Sequence, residues 1–139
     1  MFSIIITAHG TLATAFKQSI RMIYGETSQV YSVNFEDGEN ADTLKMKLLE
    51  VIEKNGLQEV LVLTDIFSGT PFNAASMIAF TRKNVKVVAG ANLPICLEAV
   101  ANQQTETVYD FVSRIIQIAP DTIKPLNDLI TVSEGDDLL

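Results

Sequence analysis

The chain has 139 residues, 47% of them hydrophobic, and a formal charge of −7 at pH 7. This is the size of one ordinary domain with its own core, which excludes a disordered chain, and no apolar run approaches the ~20 residues that span a bilayer. The negative charge argues against nucleic acid as a partner and suits docking onto basic protein surfaces.

A single cysteine, Cys96, forbids an internal disulfide; its setting, Pro94-Ile95-Cys96-Leu97, reads as core. With one Cys and one His there is no recognisable zinc or haem constellation, and no cofactor or metal is expected. The N-terminal apolar stretch is too short for a signal-peptide core and lacks a basic lead-in, so a soluble cytoplasmic protein is expected.

Ile4-Ile5-Ile6-Thr7-Ala8 reads as a buried strand that runs into the lone histidine, His9, and then Gly10. Many lone histidines are structural or simply solvated. This one is singled out by its place at a strand exit, where open parallel sheets gather their chemistry. A first helix is expected from Leu12 to Tyr24, with Thr11 as N-cap, Gly25 as stop, and Leu12, Phe16, Ile20 and Ile23 on the buried face. A second strand follows over Val30 to Phe35, then the polar turn Glu36 to Asn40. The acidic turn fits a solvated loop better than a metal site. A second helix spans Ala41 to Lys54, with Leu44, Leu48, Val51 and Ile52 inside.

The third strand, Glu59 to Thr64, exits into Asp65-Ile66-Phe67-Ser68-Gly69-Thr70-Pro71-Phe72-Asn73. Thr70 followed by Pro71 reads as an N-cap and first helical residue, opening a third helix to Thr81. The free N–H groups of such a start form a natural phosphate seat. A fourth strand, Val85 to Ala89, leads through Gly90 to helices over Leu93 to Ala101 and Glu106 to Ala119, stopped by Pro120. The second of these presents Val108, Phe111, Val112, Ile115 and Ile116 as its apolar face. The apolar run Leu129 to Val132 is expected as a C-terminal edge strand or arm, and residues 133–139 as a loose tail.

Strands alternating with helices predict an α/β fold: a doubly wound, mostly parallel sheet of about four strands plus the C-terminal edge strand, with helices on both faces. The first and third strands are expected as neighbours, which brings His9 and Asp65 together. A carboxylate bonded to one imidazole nitrogen fixes the tautomer and frees the other nitrogen as the nucleophile. Ser68 leaves a Ser-His-Asp hydrolase open, although it lies in no nucleophile elbow. With no Walker motif or dinucleotide fingerprint, a phosphoryl group on His9 would arrive from another protein.

Ile6-Thr7-Ala8-His9-Gly10 with Leu12-Ala13, then Asp65 through Ala75, then Gly90-Ala91-Asn92-Leu93-Pro94 together resemble the IIA component of the mannose family of the bacterial sugar phosphotransferase system. The resemblance covers about residues 1–130 and implies a domain over 1–132. It implies a homodimer in which His9 takes phosphate from HPr and passes it to a IIB component, serving membrane IIC and IID components. By that pattern Asp65 orients His9, Thr70 bonds the phosphoryl group, and Ser68, Gly69 and Phe72 complete the loop. Ser68 stands where the family commonly has glycine. Many relatives are fused to a IIB domain, for which this chain has no room, so a free-standing IIA protein or one cut from a longer chain is expected. Two alternatives remain at this point: a phosphoryl subunit of a dihydroxyacetone kinase, and a receiver-like module phosphorylated on Asp65.

Overall fold

The first strand, β1 (Ser3–His9), is buried along six residues and opens to solvent only at the last, His9. A strand apolar on both faces needs cover on both, and the rest of the chain supplies it. The computed structural model describes residues 1–127. After β1 come α1 (Leu12–Tyr24), β2 (Val30–Phe35), α2 (Ala41–Lys54), β3 (Val60–Thr64), α3 (Thr70–Ala79), β4 (Val85–Ala89), α4 (Leu93–Asn102), α5 (Val108–Ile118) and a 3₁₀ turn over Ala119–Thr122. The strands form one parallel sheet in the order β2-β1-β3-β4.

The pleat divides the core in two. Ile4, Ile6 and Ala8 of β1 and Leu61 and Leu63 of β3 pack with Ala13 and Ile20 of α1, Cys96 and Ala99 of α4, and Phe111 and Ile115 of α5. The alternate residues, Ile5, Val60 and Val62, pack with Leu44, Leu48 and Ile52 of α2 and Ala74, Ala75 and Ile78 of α3. Helices therefore cover both faces, as the alternating pattern requires. The chain winds from β1 outward to β2, then returns to β3 and β4. The direction reverses between β1 and β3, and their carboxyl ends flank the crevice where such sheets bind ligands.

Several local expectations are corrected. The inward stripe of α1 is Ala13, Phe16 and Ile20, while Leu12 and Ile23 are exposed. A fully buried alanine sets the helix's rotation, and size alone did not reveal it. On α5, Ile116 is likewise exposed. Thr11 makes no side-chain cap; the side chain of Asn34, at the end of β2, accepts from the Thr14 N–H instead, at 3.3 Å. Thr70 is not the N-cap of α3 either. Gly69 takes that place with extended backbone, and Thr70 is the first helical residue. The N-cap of α5 is Thr107, whose hydroxyl accepts from the Asp110 N–H. The expected edge strand, Leu129 to Val132, and the tail 133–139 lie outside the described residues.

Candidate functional site

His9 closes β1, and the turn after it is made by Gly10 at φ +62°, left-handed backbone that glycine adopts freely. The Gly10 N–H donates to the Phe35 carbonyl at 2.8 Å, so the turn is tied to the exit of β2. On the other side, β3 ends at Thr64 and delivers Asp65. The Ala91 N–H donates to the Thr64 carbonyl at 2.9 Å. The Gly90-Ala91-Asn92 segment thereby steadies the residue just before Asp65, and Asn92 goes on to cap α4 by accepting from the Ile95 N–H at 3.0 Å.

One carboxylate oxygen of Asp65, Oδ2, accepts from the His9 backbone N–H at 3.0 Å and lies 2.7 Å from the His9 ring nitrogen Nδ1. The other, Oδ1, accepts from the Ile66 N–H at 3.0 Å. Burial works to raise the Asp65 pKa. The bonds from the His9 backbone, the His9 ring and the Ile66 backbone, with the charge of His9, outweigh it and hold the carboxyl below its usual range. An ionised Asp65 can only accept, so Nδ1 carries the proton and Nε2 carries the free lone pair. The His9 side chain is 46% exposed and that of Asp65 11%, so the ring faces solvent above a sheltered acid.

Gly69 borders the ring. A Cβ placed there would lie 3.2 Å from His9 Cε1 and 2.9 Å from Ile66 Cγ1. Its backbone is ordinary, φ −75° and ψ 170°, so what favours glycine is the closeness of the Ile66 side chain and, after it, the imidazole. Thr70 follows directly, at the start of α3. The first intrahelical bond there is from the Asn73 N–H to the Gly69 carbonyl, and no side chain caps the end. The free N–H groups of this first turn therefore open beside His9, with Pro71 contributing none.

His9 and Asp65 are thus bonded, with Gly69 beside the ring and Thr70 next in the chain. Ser68 does not bond His9; its carbonyl accepts from Asn73 Nδ2 at 3.3 Å, and its backbone is left-handed, φ +63°. Phe72 packs on Phe67, ring centroids 4.8 Å apart. Of the acidic turn, Glu36 and Glu39 both pair with Lys47. Sequence reasoning missed Phe35, whose ring meets the imidazole edge-on at 5.5 Å and 83°. The signal available was register: His9 pairs with Phe35 at the end of β1 and β2.

These features define an open parallel α/β protein with an aspartate-held imidazole at its switch point. A family model described as PTS system fructose IIA component matches residues 3–116. The sorbose-specific EIIA component of Lacticaseibacillus casei is 34% identical over 134 residues, covering 96% of this chain and 97% of that protein. The fructose-specific EIIA component of Bacillus subtilis is 37% identical over 119 residues, covering 83% and 80%. Among solved structures, an EIIA phosphotransferase system component from Streptococcus agalactiae superposes with a TM-score of 0.84 at 32% identity, covering 92% of this chain and 99% of that one. The chain belongs to the mannose-type family of IIA components of the sugar phosphotransferase system. Among the described residues no helix is long and apolar enough to cross a membrane.

Proposed function

We propose that this protein is a phosphohistidine carrier: His9 takes a phosphoryl group from HPr and hands it to a IIB component, which serves sugar uptake through membrane partners. The observation that carries the reading is the 2.7 Å contact between His9 Nδ1 and Asp65 Oδ2, which leaves Nε2 as the attacking atom. In the forward step the Nε2 lone pair attacks phosphorus, an Nε2–P bond forms, and the bond to the donor breaks with its electron pair leaving on the donor. The Nδ1 proton stays on the ring, and the Asp65 carboxylate stabilises the positive charge that develops there. Thr70 and the open N–H groups of α3 are the donors for the phosphoryl oxygens. Transfer onward reverses the same steps. Asp65, with both oxygens already accepting N–H bonds, is poorly placed to act as the phosphoryl acceptor itself.

The named relatives differ in sugar, sorbose and fructose, while all are EIIA components, so the carrier chemistry is what unites them. We place the work in the cytoplasm, by a homodimer, with residues 1–132 as the functional unit. Incubation with phosphoenolpyruvate, Enzyme I and HPr should label the wild-type protein with a bond stable to alkali and labile to acid. Label retained by a His9→Ala protein would refute the reading.

A further inference from the structure

The aspartate fixes one atom of the imidazole, but a single hydrogen bond does not fix a plane. The terminal torsion of histidine is broad, so a ring held at one nitrogen can still tilt. In-line phosphoryl transfer is sensitive to such tilts, because the attacking lone pair must point along the bond being broken. On the β3 side, Gly69 comes near enough that a Cβ there would stand 3.2 Å from Cε1. On the β2 side the contact is Phe35, edge-on to the imidazole. We propose that Phe35 is a positioning residue for His9, the second wall of a slot whose first wall is Asp65 and Gly69.

Phe35 is well built for this role. It ends an outer strand of the sheet, yet its backbone is fastened from several sides. Its carbonyl accepts from Gly10 at 2.8 Å. The preceding carbonyl, of Asn34, accepts from Lys47 Nζ at 2.6 Å, and Lys47 is itself held by Glu39 at 3.1 Å. The Asn34 side chain bonds the first turn of α1, through the N–H and hydroxyl of Thr14. The same short segment therefore fixes both the turn after the histidine, at Gly10, and the helix start beyond it, at Thr14. The flank of the Phe35 ring packs against the core beneath α2 and α3, which leaves the ring little freedom to move aside. An aromatic edge-to-face contact is directional, so an aliphatic residue of similar size fills the space without setting the angle.

This inference rests on the carrier reading, and the test separates the two. His9 is the only histidine, so its ring nitrogens give unambiguous signals in long-range proton–nitrogen NMR spectra. In the wild type those signals should report a proton on Nδ1. Phe35→Leu should keep the fold and the Nδ1 proton that Asp65 holds, but weaken the nuclear Overhauser contact between the His9 Cε1 proton and Gly69 as the ring tilts, and label from phospho-HPr about tenfold more slowly; Phe35→Tyr should restore both. Leucine matching tyrosine in spectrum and rate would overturn the proposal, as would a tyrosine variant that restores neither. Failure of the wild type to label would instead refute the carrier reading, with the ring spectra still deciding the role of Phe35.

Discussion

Ser68 stands at φ +63°, a conformation that costs a side chain-bearing residue about 1–2 kcal/mol. Glycine removes that strain but regains unfolded-chain entropy, so Ser68→Gly should stabilise the protein by a net of about 0.5–1 kcal/mol in urea denaturation. The resemblance marked Ser68 as a departure from glycine; the left-handed backbone itself comes from the structure. The neighbouring residue behaves oppositely. Gly69→Ala meets no backbone strain, and the exposed Ile66 can shift, but the new methyl presses on His9 Cε1. Its stability should stay near wild type, while its labelling rate from phospho-HPr should fall about tenfold. At Asp65 the pKa is lowered on folding, so its carboxylate adds stability above the unfolded-chain value of about 4 and loses it as pH falls through the folded value. Asp65→Asn should therefore be less stable than wild type by a steady margin above about pH 5, with the two curves converging below about pH 4; a pH series of urea melts measures this.

At the scale of elements, the two ends of α1 teach different lessons. Its span was readable from periodicity and from Gly25, and the structure returns the same residues, Leu12–Tyr24. Its cap was not readable, because Asn34 comes from another strand 20 positions away, and only the β1–β2 register brings it near. Asn34→Ala should cost about 1 kcal/mol, the usual worth of a cap, and Thr11→Ala close to nothing; equilibrium unfolding of the two variants decides between them. The start of α3 follows the same logic. Thr-Pro was read as cap and first residue, but the helix starts one residue earlier, with Thr70 already helical and Gly69 in the cap position, where Ile66 and the imidazole leave little space for a side chain.

For the molecule as a whole, the alternation of strands and helices put His9 and Asp65 at one end of a parallel sheet, and the expected pairing of β1 with β3, which the structure shows, puts them side by side. What the sequence could not give was what stands on the other side of the ring. Phe35 read as one more apolar strand residue, and its role emerges only when β2 is registered against β1. The two-sided core also encloses Cys96, 1% exposed, where burial pushes the thiol pKa up to about 12. A thiol so placed reacts only when the fold opens around it. Its labelling by a disulfide reagent should be slower than that of a free cysteine by a factor of about 10³ or more, and should accelerate in step with global unfolding as urea is added.

One oxygen of Asp65 ties the ring of His9 to that residue's own main chain, so the imidazole takes its bearing from the strand beneath it. A passenger on the far nitrogen would bring about two negative charges to a ring that is 46% exposed. Whatever docks there would then feel a full courier and an empty one as different electrical potentials, a distinction that added salt should blur.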